Sequence, residues 1–316
     1  MSNLRISDSS MRDQIFNLFY NEGFELVGAV NKENCQIDQQ YFKQWIDKGF
    51  HADLDWVENN SKFRNDPCSL IDNGASILIA AINYNSKAPS SWKENHYISN
   101  YAWGTDYHLL LKKKLKRIQA NISKIIPGFK SRGFVDSAPI PERVVAFRAG
   151  LGWVGKNGML INRKLGSFLF LAEIVCNLTF EFITLPAKDY CGTCVKCIEA
   201  CPNQAIIENG VVDSRRCISY LTIEKRGEFT PQEKSMVDYQ VFGCDICQQV
   251  CPWNKKSPIT SQNEFCLSDK WKSFNLSELK DLSQESFDKL KIRSAIKRAK
   301  FEGFKRNVKA ILEKNA

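Results

Sequence analysis

The spacing of the cysteines constrains this chain more than any other feature of the sequence. Eight of the twelve cysteines lie within residues 191–251. Seven of the eight form two runs, C-G-T-C-V-K-C-I-E-A-C-P from Cys191 and C-D-I-C-Q-Q-V-C-P from Cys244, and Cys217 lies between them. Two-residue gaps followed by Cys-x-x-x-Cys-Pro are typical of proteins that hold two [4Fe–4S] clusters. The sequence therefore predicts an iron–sulfur module, which passes single electrons.

In such a module the last cysteine of each run binds the cluster of the other run. The ligands predicted for the first cluster are Cys191, Cys194, Cys197 and Cys251. The ligands predicted for the second cluster are Cys201, Cys217, Cys244 and Cys247. Cys217 is included because Val241 stands where a regular repeat would place a cysteine, and Cys217 lies between the two runs. Cys266 is the weaker candidate for this ligand.

Other uses of cysteine fit the pattern less well. Paired Cys-x-x-Cys motifs also bind zinc, so two zinc sites are the alternative to two clusters. Disulfides are disfavoured, because thiolate ligands need a reducing compartment, and this predicts a cytoplasmic protein. Cys35, Cys68 and Cys176 have apolar or mixed surroundings in the sequence and are predicted to be small core residues.

The composition is that of a globular chain with more than one domain. Of its 316 residues, 43% are hydrophobic and 25% are charged, which is ordinary for a globular protein. No stretch approaches the ~20 apolar residues of a membrane span, and the N-terminus shows no apolar signal core or twin arginine. We expect three parts: a catalytic domain over residues 1–180, a ferredoxin-like iron–sulfur domain over 181–262 and a basic helical tail over 263–316.

The net charge of +9 is concentrated in two segments. Residues 109–132 contain eight lysines and arginines and no acidic residue. Residues 291–316 contain nine lysines and arginines against Glu302 and Glu313. Two basic segments favour a polyanionic partner, with nucleic acid ahead of membrane. The alternative for each segment is a solvated helix face.

Hydrophobic periodicity and turn residues predict an α+β fold with a mixed sheet. The predicted helices are residues 8–22, 41–48, 106–126 and 141–149. The predicted strands are residues 24–30, 76–83, 129–135, 159–162 and 167–176, with the last two paired across 163–166. Helices and strands do not alternate strictly, so a doubly wound sheet is disfavoured.

Two motifs suggest cofactor sites but do not fit their context. Residues 150–155 read G-x-G-x-x-G, yet a phosphate-binding loop needs a strand before it and a helix after it, and the predicted order is the reverse. Residues 106–111 half-match the D-x-H-x-x-G pattern that supplies a histidine to cobalamin, but Leu111 replaces the glycine. His108 is therefore predicted to be a structural or cofactor-edge residue rather than an axial ligand.

Motifs spread over nearly the whole chain resemble those of the epoxyqueuosine reductase (QueG) family. They are Y-A-W-G-T-D-Y-H at 101–108, V-D-S-A-P at 135–139, E-R at 142–143, A-G-L-G-W-V-G-K-N at 149–157, both cysteine runs, S-Y-L-T-I-E at 219–224 and G-C-D-I-C-Q-Q-V-C-P-W-N at 243–254. Some family members carry a C-terminal helical-repeat domain. This sequence has room for no more than a helix or two of it, so that part of the RNA contact is not expected here.

The resemblance implies a cobalamin-dependent reductase that also uses two [4Fe–4S] clusters. Its substrate would be epoxyqueuosine at the wobble position of tRNA, and its product queuosine, in the last step of queuosine biosynthesis. The reaction is a two-electron reduction of an epoxide to an alkene with loss of water. Reduced cobalamin is a strong nucleophile toward an epoxide carbon, and an unidentified low-potential donor would supply the electrons. The opening oxygen also needs a proton.

Asp136 is the residue expected to supply that proton. It ends a predicted strand beside a helix start, and desolvation in a closed pocket can keep a carboxylic acid protonated at neutral pH. A turn or helix-cap role is the alternative. The residues expected to contact cobalamin are Arg64, Tyr101, Asp136, Lys156 and Asn157, and an ordinary loop or surface position is the alternative for each of them. Lys225 and Arg226 are candidates for contact with the tRNA backbone, with a solvated charge pair as the alternative.

Two other functions are weaker readings of the same sequence. A reductive dehalogenase also pairs cobalamin with two clusters, but such enzymes are usually exported, and the basic tail suits RNA better than a small organohalide. A ferredoxin-type electron carrier would not need the long segment before the cysteines. Recruitment of Cys217 from a distant loop is expected to open the second cluster toward the cobalamin, on the side of Asp136.

Overall fold

The computed structural model describes residues 4–88, 98–181, 186–237, 239–272 and 276–314. The strands are β1 (Leu4–Ile6), β2 (Leu26–Asn31), β3 (Ser76–Asn83), β4 (Ser131–Phe134), β5 (Trp153–Val154), β6 (Leu160–Ile161), β7 (Leu169–Cys176), β8 (Leu178–Phe180), β9 (Ile206–Glu208) and β10 (Val211–Val212). The helices of the first part are α1 (Ser9–Asn21), α2 (Gln39–Asp47), α3 (Asp55–Asn59), α4 (Ser61–Asn65), α5 (Tyr107–Ile125) and α6 (Glu142–Arg148). Those that follow are α7 (Lys196–Glu199), α8 (Ile218–Ile223), α9 (Pro231–Met236), α10 (Ile246–Gln249), α11 (Asp269–Lys272), α12 (Gln284–Leu290) and α13 (Lys300–Leu312).

The central sheet has the strand order β2–β3–β7–β4, and each neighbouring pair is antiparallel. Successive residues of a strand point to opposite faces of the sheet, so a strand that is apolar throughout must be covered on both sides. In β3, Leu78 and Ile82 share one core with α1 and α5, while Ile77 and Ile79 share another with α6. The α+β prediction agrees with this architecture, but the predicted mixed sheet is wrong: the central sheet is antiparallel throughout, and the one parallel pairing between described strands joins β1 to β8 in a separate two-stranded sheet.

Helix α5 covers one face of this sheet. The side chain of Asp106 caps the helix by accepting the N–H of His108 at 3.1 Å. The buried apolar residues of α5 recur at helical spacing: Leu111, Leu115, Ile118 and Ile122. This stripe fixes the rotation of the helix against the sheet, and the cap fixes its first turn, which carries Tyr107 and His108 to the end of β4.

Most predicted elements agree closely with the structure, and residues 76–83 coincide with β3. The predicted pairing of residues 159–162 with 167–176 is wrong. Strand β6 instead pairs with β5, while β7 lies in the central sheet between β3 and β4. A bridge between Asn162 and Gly166 closes the intervening turn. The reason is that β7 is buried along its whole length, so it needs neighbours and cover on both sides.

The C-terminal segment packs against the iron–sulfur region and the catalytic part together. Its buried aromatic residues Trp271, Phe287 and Phe304 share a core with Ile98, Trp103, Val241 and Phe242. Val241 is fully buried in this core. The position where a regular cysteine repeat would place a ligand is therefore used for packing.

Arg306 of α13 anchors this segment through hydrogen bonds to backbone carbonyls. Its guanidinium donates to the carbonyl of Leu221 at 2.9 Å and to that of Gly227 at 2.6 Å. Asn307 donates to the carbonyls of Thr222 and Val241 at 2.7 and 2.8 Å. Part of the basic tail is thus engaged within the protein and is not available to a polyanion.

Candidate active site and cluster ligands

Asp136 follows β4 in a backbone conformation that residues other than glycine rarely adopt, with φ of +53°. Its N–H donates to Oε1 of Glu142, the first residue of α6, at 2.8 Å. Its Oδ2 accepts a hydrogen bond from the hydroxyl of Tyr107 at 2.6 Å. The side chain is nevertheless 57% exposed. The carboxylate is therefore held in place by its neighbours and is still open to a ligand.

His108 lies between two carboxylates. Its Nδ1 is 2.8 Å from Oδ1 of Asp106, and its Nε2 is 3.4 Å from Oδ2 of Asp136. Lys297 approaches the other oxygen of Asp106 at 2.5 Å. Burial lowers the pKa of His108, but the hydrogen bonds and charges of the two aspartates outweigh it and raise the pKa to about 9. His108 is therefore protonated at neutral pH, with both ring nitrogens directed to carboxylates.

The protonation state expected for Asp136 does not agree with this arrangement. Burial raises the pKa of Asp136, but hydrogen bonds from His108 and Tyr107 lower it more, so the net direction is downward. The net direction is thus opposite to the one that desolvation alone would give, and the role of Asp136 as proton donor stays a prediction. The proton lies on His108 instead, next to the Asp136 carboxylate.

Tyr101 connects the surroundings of Asp136 with the second cysteine run. The centroid of its ring is 6.3 Å from that of Tyr107 and 5.8 Å from that of Phe242. Burial and then the charge of Asp136 raise the pKa of Tyr101. Tyr101 thus lies next to Tyr107, whose hydroxyl donates to Asp136.

Arg64 lies in the last turn of α4, near the carboxylate of Glu142. Its guanidinium lies 5.2 Å from the ring centroid of Trp56. Burial lowers the pKa of Arg64, and the nearby charge of Glu142 opposes that shift. In the described part of the chain, Nε of Arg64 and Oδ1 of Asn65 are buried without a hydrogen-bond partner. These two polar atoms are suited to a bound polar ligand.

Lys156 and Asn157 lie where the glycine-rich loop meets the cysteine loops. Nζ of Lys156 donates to the carbonyl of Gly192 at 2.7 Å, and Nδ2 of Asn157 to that of Cys247 at 3.4 Å. Arg143 of α6 donates to the carbonyl of Gly158 in the same loop. The loop thus connects α6 to both cysteine runs, and the hydrogen bonds of Lys156 and Asn157 are made there rather than to Asp136.

The thiols predicted for the first cluster lie near one another. Burial raises the pKa of Cys197, and the charges of Cys191, Cys251 and Cys194 raise it further. Nε1 of Trp153 donates to Sγ of Cys191 at 3.3 Å, a hydrogen bond that would favour the thiolate. The structure thus brings the last cysteine of the second run to the first three of the first run.

The thiols predicted for the second cluster form a separate group that includes Cys217. Burial raises the pKa of Cys244 to about 12, and the charges of Asp245, Cys217 and Cys201 add to this. Cys247 is shifted in the same direction by burial, Cys244, Cys217 and Cys201. Cys266 instead directs its Sγ toward the carbonyl of Gln262, at 3.8 Å. This grouping supports Cys217 over Cys266 as the fourth ligand.

The donor chemistry of the two thiol groups fits iron–sulfur clusters. Each group consists of cysteine side chains, and a [4Fe–4S] cluster binds each thiolate at a different iron. Zinc binds the same thiolates, so the type of donor alone does not distinguish the two metals.

The loop around Cys244 packs closely against the segment that leads to Tyr101. Oδ2 of Asp245 accepts the N–H of Asn100 at 2.6 Å, and its Oδ1 accepts the hydroxyl of Ser99. Gly243 has φ of +75°, and a Cβ there would lie 2.5 Å from Cβ of Ser99. Only glycine permits this approach. The second thiol group is therefore held on the side of the site where Tyr101 lies.

Lys225 and Arg226, the candidates for RNA contact, both have partners within the protein. Nζ of Lys225 is 3.2 Å from a carboxylate oxygen of Glu233. Arg226 donates to the carbonyl of Arg298 at 3.1 Å. Both side chains thus make contacts within the protein, and their contact with tRNA stays a prediction.

Comparisons with known proteins agree with this geometry. Residues 190–254 match the model of a 4Fe-4S double cluster binding domain, and residues 64–137 match that of "Epoxyqueuosine reductase QueG, DUF1730". Over 291 residues the chain is 39% identical to the epoxyqueuosine reductase of Leadbetterella byssophila, covering 92% of this chain and 95% of that one. The chain belongs to the epoxyqueuosine reductase family. It is also 41% identical over 290 residues to the Synechocystis sp. enzyme of that name, covering 91% of this chain and 99% of that one.

Solved structures of epoxyqueuosine reductase share the fold. One, a complex with an epoxyqueuosine-modified tRNA-Tyr stem loop, superimposes with a TM-score of 0.84 at 25% identity, over 96% of this chain and 81% of that one. Another, from Bacillus subtilis, has a TM-score of 0.86 at 25% identity over the same shares, and its catalytic aspartate loop is swung out of the active site.

The family assignment makes the chain an oxidoreductase with a double-cluster [4Fe–4S] module, rather than an electron carrier or a dehalogenase. No helix among the described residues is both long and apolar enough to cross a membrane.

Proposed function

We propose that this chain reduces epoxyqueuosine in tRNA to queuosine, the last step of queuosine biosynthesis, with two [4Fe–4S] clusters and cobalamin. The observation that carries the proposal is the contact of Asp136 with a protonated His108 in a member of this family. The tRNA substrate is supported by the related enzyme that holds an epoxyqueuosine-modified stem loop. The proposed domain limits are residues 1–180, 181–262 and 263–316, in a reducing cytoplasm.

The residues around Asp136 fit a large polar cofactor such as cobalamin. A buried polar atom without a partner costs about 1–3 kcal/mol, so Arg64 Nε and Asn65 Oδ1 favour a ligand that pairs with them. Tyr101 and Asp136 would border the same ligand, with Lys156 and Asn157 at its edge near the cysteine loops. When bound, cobalamin would supply the strongly reducing nucleophile that opens the epoxide.

The residues of the chain supply the acid chemistry. Conversion of the epoxide to an alkene and water consumes two electrons and two protons. The imidazolium of His108 holds one proton beside Oδ2 of Asp136, and the Tyr107 hydroxyl fixes that oxygen. We infer that this proton reaches the opening epoxide oxygen through Asp136, which is the exposed member of the group. Asp106 and Lys297 keep the imidazole in place.

The positions of the two thiol groups suggest the order in which the clusters transfer electrons. The second thiol group is held beside Tyr101 by Gly243 and Asp245, while the first group lies at the loop that Lys156 contacts. We propose that a low-potential donor reduces the first cluster and that the second cluster passes electrons to the site of Asp136.

The acid role of His108 predicts a pH dependence. The pKa of His108 is raised to about 9, so the protonated form predominates below that pH and is lost as the pH rises through it. Turnover should therefore fall above pH of about 9. His108→Gln should remove this alkaline limb and lower turnover about 10²-fold or more. A full pH–rate profile of both proteins under single-turnover conditions tests this; an unchanged limb in the variant would assign it to another group.

The central test is activity of the reconstituted protein. Protein loaded with iron, sulfide and cobalamin should convert epoxyqueuosine-containing tRNA to queuosine-containing tRNA when a low-potential reductant is added. Mass spectrometry of the digested tRNA measures the product, and the visible spectrum reports both cofactors. Samples without cobalamin or without reductant serve as controls and should give no queuosine. Absence of product with both cofactors bound would refute the proposal.

A further inference from the structure

Glu173 is a buried acidic residue that the chemistry above does not use. It lies in the middle of β7, opposite Phe134 of β4 and Ile79 of β3. Its side chain is fully buried, and within the described residues neither carboxylate oxygen has a conventional hydrogen-bond donor. An isolated carboxylate at such a place is strongly unfavourable. A neighbouring group must therefore neutralise it.

That neighbour is Glu142, whose carboxyl group lies within hydrogen-bonding reach of that of Glu173. Two carboxyl groups can hydrogen-bond only when they share a proton, because two carboxylates are both acceptors. Burial, followed by the charges of nearby carboxylates, raises the pKa of both groups. A shared proton gives a donor to one of the two oxygens of Glu173 that otherwise lack one.

The same Glu142 carboxyl group reaches the backbone of Asp136. Its Oε1 accepts the Asp136 N–H at 2.8 Å, where Asp136 has φ of +53°. A residue in this conformation costs about 1–3 kcal/mol and persists only when its surroundings hold it. The hydrogen bond to Glu142 is such a constraint, and it directs the Asp136 carboxylate toward Tyr107 and His108.

We propose that Glu142 and Glu173 form a proton-sharing carboxyl pair that positions Asp136 for proton delivery to the substrate. The inference rests on the proposed function only for the role of Asp136. Positive charge faces the pair from two elements, Arg143 of α6 and Arg64 of α4. Asp136 faces it with negative charge, and the imidazolium of His108 lies beyond Asp136. A single shared proton leaves the pair with one negative charge, which the arginines balance.

A double-mutant cycle tests whether Glu142 acts through Asp136. Glu142→Ala removes the acceptor and should lower kcat about 10²-fold, with little change in KM. In the Asp136→Asn background the same substitution should cost less than about twofold, because residues that act through one another are not additive. Glu142→Gln is the matched control: its amide oxygen still accepts the Asp136 N–H and its amide nitrogen donates to Glu173. It should stay within about threefold of the unsubstituted protein.

Amide hydrogen exchange gives a readout independent of turnover. Peptides that contain Asp136 should exchange faster in Glu142→Ala than in Glu142→Gln, while peptides from β3 exchange equally. Equal exchange and additive kinetic effects would overturn the inference. Activity of the unsubstituted protein separates the two proposals. If that protein has no activity, the proposed function fails; if Asp136→Asn loses turnover and Glu142→Ala does not, the positioning role alone fails.

Discussion

Asp136→Asn is expected to lower kcat about 10²–10⁴-fold while the clusters and cobalamin stay bound. Asparagine is nearly the same size, and its side-chain oxygen can still accept the Tyr107 hydroxyl, which Asp136 accepts at 2.6 Å. It has no negative charge to stabilise the imidazolium of His108 and cannot relay a proton as a carboxylate does. The loss should therefore appear in kcat rather than in cofactor content.

The measurement is single-turnover conversion of modified tRNA, with the visible spectrum recorded on the same samples. Asp53→Asn is a matched control, because Asp53 accepts the hydroxyl of Tyr220 at 2.7 Å in a similar pair outside the site. That variant should keep turnover within about twofold, as expected of a surface substitution. Turnover of Asp136→Asn equal to that of Asp53→Asn would remove Asp136 from the mechanism.

The position of Asp136 was predictable from the sequence, but its protonation state was not. A strand end before a proline-started helix is a local signal, and the structure has both β4 and α6 there. The sign of a pKa shift depends on which groups meet through space. His108 contacts Asp106, which is close to it in the sequence, and Asp136, which is not. Only the packing of α5 on the sheet brings Asp136 to His108.

The partner of Glu173, like those of His108, could not be predicted from the sequence. Its sequence context, a strand that is otherwise apolar, predicts burial and not a partner. The partner, Glu142, lies on a helix whose placement follows from packing against Ile77 and Ile79. The incorrect pairing of β6 with β7 has a related cause, since an apolar strand does not specify which neighbours it takes in a sheet.

The cysteine runs were the most informative part of the sequence because their chemistry is encoded in local spacing. Spacing does not locate a ligand outside the runs. Cys217 comes to the second group because it immediately precedes α8, and α8 is fixed by the hydrogen bonds of Arg306 and Asn307. The ligand thus depends on the C-terminal helix, far along the chain.

Cys217→Ala is accordingly expected to lose the second cluster, about half of the bound iron, and nearly all turnover. A [4Fe–4S] cluster with three thiolates is labile, and without it electrons have no relay between the first cluster and the site of Asp136. Cys266→Ala is the matched control and should keep full iron and full turnover, because Cys266 faces Gln262 and not the thiol group. Iron and sulfide assays, with circular dichroism to confirm folding, measure the difference. Full iron in Cys217→Ala together with loss of iron in Cys266→Ala would make Cys266 the ligand instead of Cys217. The C-terminal helix would then not fix the fourth ligand of the second cluster.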